Sequence, residues 1–128
     1  MAEPDASAGF VPGRYAIEAY GRGGFRFAGM SHRGSILILP SGIHAWSVDD
    51  PKDITAASLA PILREAPGVE FLLVGTGEAI VPLSDRLRTP FREAAISLDA
   101  MQTGAAARTY NVLLAEERRV AAALIAVG

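Results

Sequence analysis

A chain of 128 residues, half of them apolar and a fifth charged, is sized for one domain around a single core, and at this length neither metal nor disulfide is needed for stability. The absence of cysteine excludes disulfides, thiolate metal sites, cysteine nucleophiles and CxxC redox chemistry. Twelve basic against fourteen acidic side chains, a formal net charge of −2, argue against a nucleic-acid footprint.

Residues 1–13 are rich in Pro, Gly, Ala and Ser and lack a basic region followed by an apolar run. They are expected to be a flexible tail and not a signal peptide, leaving residues 14–128 as the single domain. Residues 14–20 and 25–27 alternate in polarity around Gly21, Gly23 and Gly24, which predicts an N-terminal antiparallel β-hairpin. Ile36, Leu37, Ile38 and Leu39 end at Pro40-Ser41-Gly42, and Phe71, Leu72, Leu73 and Val74 end at Gly75-Thr76-Gly77. Four apolar residues in a row suit a strand covered on both faces, so these two runs are expected as central parallel strands, with another short strand over 43–48.

Between the two runs, Asp53-Ile54-Thr55 opens a helix that carries Ala57, Leu59, Ile62 and Leu63 and ends before Pro67-Gly68. Thr55 suits its N-cap, while Ser58 is not the Glu that completes a capping box. A second helix follows Pro82, with Ser84 as N-cap and Leu83, Leu87, Phe91 and Ala95 at helical spacing. A strand over 95–98 and a third helix over 99–115 come next. Residues 120–127 are far short of the roughly 20 a membrane span needs; their Ala content suits a helix, their length and position a last strand, and the strand is expected. Alternating strands and helices imply an α/β fold with a mainly parallel sheet flanked by helices, the hairpin packed on or beside it.

Ligands in such sheets sit outside the carboxyl ends of the strands, which directs attention to residues 41–46, 75–78 and 99–103. Gly75-Thr76-Gly77 follows a buried strand but lacks the Lys of a P-loop and the third Gly of a dinucleotide fingerprint. It is expected to be a tight turn whose glycines serve positive φ or close approach, with the Thr76 hydroxyl dispensable. His32 and His44 have no ligand-type neighbours at metal spacing, and Asp49, Asp50 and Asp53 lack the calcium-loop pattern. There is no GxSxG, and Ser41 near His44 is generic. Glu78, Asp85 and Asp99 are read as solvent-exposed acids, and Trp46, Tyr20 and Tyr110 as core residues with a polar tip at the edge.

The stretch from Thr103 through Gly104 and three alanines to Arg108, Thr109, Tyr110 and Asn111 is the most distinctive. With Val74-Gly75-Thr76-Gly77, Asp53-Ile54-Thr55, Leu39-Pro40, Trp46 and the closing Ala122-Ala123-Leu124-Ile125, it resembles the small α/β family that includes the mitochondrial respiratory complex I assembly factor 3. The resemblance covers about residues 20–127. It implies three layers around a central mixed, mostly parallel sheet whose last strand runs antiparallel to the others. It also implies a non-enzymatic role in assembling a membrane-bound respiratory complex through protein partners. Two departures stand out: Glu117 occupies a position the family usually gives to Gly, so the third helix must end without the residue best suited to αL, and Arg108 replaces an Ala-like residue of the mitochondrial branch.

The sequence therefore points to a non-catalytic protein-interaction module whose cleft or partner surface draws on Trp46, Gly75, Thr76, Gly77, Asp99, Thr103, Thr109, Tyr110 and Asn111. Catalytic residues, metal and cofactors are not expected. The expected partners are respiratory-complex subunits or another assembly factor, with no nucleic acid, at most peripheral membrane association, and a cytoplasmic location. The alternatives are a small enzyme or anion- or small-molecule-binding protein using the strand-end cleft, and a domain that merely stabilises itself as a homodimer. An enzyme needs a perturbed titratable group in a real pocket; an interaction module needs a contiguous apolar patch.

Overall fold

In the computed structural model, which describes residues 10–128, the elements run β1 (Phe10–Pro12), β2 (Ala19–Gly21), β3 (Gly24–Phe27), β4 (Met30–Arg33), β5 (Ser35–Leu39), β6 (Gly42–Trp46), α1 (Ala56–Arg64), β7 (Phe71–Gly75), α2 (Asp85–Glu93), β8 (Ser97–Met101), α3 (Thr103–Ala115) and β9 (Val120–Leu124). They form a six-stranded sheet in the order β1-β6-β5-β9-β7-β8 and a three-stranded sheet β2-β3-β4. The first thirteen residues are thus not all tail: Phe10, Val11 and Pro12 pair antiparallel with His44, Ile43 and Gly42, and the rest of the expected tail, residues 1–9, lies outside the described residues.

The fold is mixed α/β in three layers, as expected, but the main sheet is mostly antiparallel. Leu39 pairs with Gly42, so Pro40 and Ser41 form a two-residue turn that sends β6 straight back along β5. A parallel partner would need a long crossover, and a two-residue connection permits only an antiparallel one. β5 and β7 are not neighbours either. Between them lies β9, antiparallel to β5 and parallel to β7, so the last strand is antiparallel to only part of the sheet. Parallel pairing is confined to β9-β7-β8, where α2 and α3 supply the crossovers.

The apolar runs are central strands because both faces are covered. Leu37, Leu72, Val74, Ala121 and Ala123 pack with Leu59 and Ile62 of α1 and Phe91 of α2. Ile36, Ile38, Leu73, Ala122 and Leu124 pack with Ala106 and Tyr110 of α3 and with Phe25 and Phe27 of the small sheet. The period-2 alternation of a strand assigns each run to both layers. Ala121, Ala122 and Ala123 are fully buried at the middle of the sheet, where the short Ala122 side chain suits the close approach of the Ala-rich face of α3.

Local chemistry fixes the helix ends. Thr55 Oγ1 accepts from Ser58 N at 3.1 Å and Ser58 Oγ accepts from Thr55 N at 2.9 Å, so Ser58 does complete the capping box, its short hydroxyl replacing the usual Glu. Ser84 caps α2, accepting from Leu87 N. The third helix starts at Thr103, later than expected, because residues 99–101 continue β8 beside β7 and Gln102 Oε1 takes the cap, accepting from Ala105 N at 3.0 Å. Past its end, Glu117 holds φ +60°, the left-handed conformation that Gly adopts at least cost.

Candidate functional site

The carboxyl ends of β7, β8 and β9 bring Gly75, Thr76, Gly77 and Thr103 together. Gly75 has an ordinary backbone, but a Cβ on it would stand 3.0 Å from Thr103 Cα and 3.0 Å from Leu124 Cδ2. Gly77 holds φ +105°. The first glycine therefore serves close approach and the second a conformation L side chains avoid.

Thr103, fully buried, donates from Oγ1 to Ile125 O at 2.7 Å and accepts from Gly77 N at 3.0 Å, while its own N donates to Gly77 O at 2.8 Å. Thr76 N donates to Met101 O at 2.8 Å, and Ile125 N donates to Gly75 O at 3.0 Å. Thr76 Oγ1 donates to Ala79 O at 2.7 Å and accepts from Val81 N at 3.0 Å. The Thr76 hydroxyl is thus not dispensable: it is buried and ties residues 79–81 back to the turn. An anion cradle needs free amides, and the Thr76 and Gly77 amides are already bound to the chain. Beside the turn an open hollow of about 310 Å³ is lined by Thr76, Gly77, Asp49, Glu78 and the last residues of the chain. Its acidic wall is unsuited to phosphate.

The remaining candidates lie elsewhere. Asp99 is exposed on β8, at the edge of the sheet. Trp46 is buried under α1, its Nε1 donating to Ser58 O at 3.0 Å. Thr109 Oγ1 donates to Ala105 O within α3. Tyr110 and Asn111 hold the segment before the small sheet. Tyr110 Oη donates to Tyr15 O at 2.8 Å; Asn111 Oδ1 accepts from Ile17 N and its Nδ2 donates to Ile17 O, each at 2.8 Å. Burial pushes the Tyr110 phenol up to about 12, against a smaller opposing effect of Arg14. One turn earlier Arg108 Nη1 donates to Tyr20 Oη at 2.8 Å. A Cβ on Gly104 would meet that same hydroxyl oxygen at 2.5 Å. The distinctive stretch of α3 is thus a polar clamp across some 90 residues of sequence.

His44 stacks on Phe10 with ring centroids 4.4 Å apart, and its Nε2 is buried without a partner. Burial lowers its pKa, with Glu65 opposing, which favours the neutral imidazole. The Glu65 carboxylate is engaged by Ser41, accepting from Ser41 N at 2.9 Å and Ser41 Oγ at 2.7 Å. Among the described residues no group of three His, Asp or Glu is placed to hold a metal ion.

A surface that single residues did not announce lies on the small sheet. Tyr20, Phe25 and His32 form one cross-strand row, and Phe25 faces the core. The flanking rows, Gly21-Gly24-Arg33 and Ala19-Arg26-Ser31, therefore face away from it. They floor a hollow of about 530 Å³ whose lining includes Arg22, Arg26 and Arg33. Only the strand register gathers these arginines.

Comparison with known proteins agrees with the architecture. Residues 17–125 match the family model described as protein of unknown function, DUF498/DUF598. An uncharacterised protein of Rhodobacter capsulatus is 39% identical over 113 residues, 88% of this chain and 86% of that protein. The NADH dehydrogenase (ubiquinone) 1 alpha subcomplex assembly factor 3 of Xenopus tropicalis is 34% identical over 109 residues, 85% of this chain, and the match spans only 60% of the frog protein. The crystal structure of a Bartonella henselae protein, described as an outer membrane protein, superposes with a TM-score of 0.88 at 52% identity, covering 91% of this chain and 98% of that one.

Proposed function

The chain belongs to the DUF498/DUF598 family, and from that premise we propose that it is a non-catalytic protein-interaction module that helps assemble a membrane-bound respiratory complex. Its relatives include vertebrate proteins named as assembly factors of NADH dehydrogenase. The observation that carries the non-catalytic part is the use of the strand-end groups: the Gly77 amide and the Thr103 hydroxyl bind each other, and Thr103 also binds Ile125 O. A site that recruits substrate at strand ends keeps such donors free.

As proposed, the module acts from the cytoplasm on membrane subunits or a second assembly factor; no helix among the described residues is long and apolar enough to cross a membrane. Deleting its gene should lower the amount of assembled respiratory complex in membranes while leaving subunit synthesis intact. Unchanged complex levels in the deletion strain would remove the assembly role.

A further inference from the structure

Charge is segregated along this chain. Residues 14–34 carry Arg14, Arg22, Arg26 and Arg33 against Glu18 alone, although the whole chain has a formal net charge of −2. Arg26 is engaged by Glu18 at 3.3 Å; Arg22 and Arg33 are exposed and form no ion pair among the described residues. Both line the hollow floored by Gly21 and Gly24, and Tyr20, which also lines it, carries the hydrogen bond from Arg108. Tyr20 and Arg108 line a separate hollow of about 340 Å³ to which Glu18 also contributes. Arg22 and Arg33 thus make a cationic strip on the outward side of the small sheet, while the Tyr20 side chain lies on the opposite face with Arg108.

We propose that this strip is the docking surface for an acidic segment of a partner protein, a proposal that rests on the interaction-module role and gives the partner its chemistry. Unpaired like charges on one face repel one another unless an anionic partner completes them, and carboxylates accept paired N–H groups from guanidinium. The strip borders an open hollow of about 530 Å³ that a polypeptide segment can enter. The negative remainder of the chain opposes nucleic acid, whose backbone presents a long continuous row of charge.

The test is an amide NMR titration of the full chain with a synthetic peptide of alternating Glu and Ser. Shifts should concentrate at residues 20–26 and 31–33, and binding should weaken as salt rises. Arg22→Glu/Arg33→Glu should lose about tenfold or more in affinity; Arg33→Glu alone, which involves no positive-φ backbone, gives the same answer should the double variant not fold. Shifts centred elsewhere, or unchanged affinity in these variants, would overturn the proposal. So would phosphatidylglycerol vesicles or duplex DNA binding the strip more tightly than the peptide at physiological salt. In the deletion strain the wild-type gene should restore the complex and the double variant should not. If both restore it, the docking surface is wrong and the assembly role stands; if deletion has no effect, the assembly role is wrong and the peptide titration decides the surface.

Discussion

Two glycine-rich places in this molecule both admit a close backbone approach, but only one of them closes off its surroundings. At the end of β7, Gly75 and Gly77 admit Thr103 so closely that its hydroxyl bridges the turn and Ile125, and the chain fills its own strand-end cleft. On the small sheet, Gly24 is buried where a Cβ would collide with the His32 carbonyl, and beside it Gly21 borders a hollow that the described chain leaves open, with Arg22 and Arg33 at its side. Both turn glycine into close packing; the first adds internal hydrogen bonds, and the second lies beside exposed charge. A glycine-rich turn after a buried strand is therefore no guide to where a protein meets its ligands until the destination of each amide is known.

The largest effect should come from filling the closed turn. Gly75→Val would drive its methyl groups into Thr103 and Leu124 and should destabilise by about 3 kcal/mol or more, measured by denaturant unfolding. Thr103→Val keeps the shape but leaves Gly77 N and Ile125 O without their partner, and should cost about 2–3 kcal/mol. A loss below about 0.5 kcal/mol would mean that water replaces the hydroxyl and that the cleft is less closed than the geometry states.

The clamp beneath the open surface has a pH signature. The Tyr110 phenol ionises near 10.0 when unfolded and near 12 when folded, so the folded state keeps a proton that the unfolded state loses. Its contribution is complete below pH 10, declines as pH rises and is lost above about 12, in all about 2–3 kcal/mol. Stability measured across this range should fall more steeply in the wild type than in Tyr110→Phe. The smallest effect in this series, of opposite sign, belongs to Glu117→Gly. It relieves the left-handed backbone at φ +60° and should raise stability by about 0.5–1 kcal/mol.

The positions of most strands and helices were legible because apolar runs and caps are local. Ser84 and Thr55 announce their helices, and residues 36–39 announce a strand covered on both faces. Strand direction was not legible: Pro40-Ser41-Gly42 reads as the end of a run, and only pairing shows that it is a two-residue hairpin. The boundary between β8 and α3 was misplaced because Asp99 lies in strand register with Leu73, a contact that no neighbouring residue signals. Of the nominated residues, Gly75, Thr76, Gly77 and Thr103 do meet. Tyr110 and Asn111 instead reach back to Tyr15 and Ile17. The arginine strip was invisible for the same reason, since Arg22 and Arg33 come together only through the strand register of the small sheet.

The division between closed turn and open strip is tested most directly by the affinity of the Glu/Ser peptide for two variants, measured at a temperature where both are folded. Thr103→Val should bind as the wild type does, and Arg22→Glu/Arg33→Glu should lose about tenfold or more. Loss of binding in Thr103→Val with retention in the arginine variant would place the working surface at the strand ends and contradict the assignment made from the geometry.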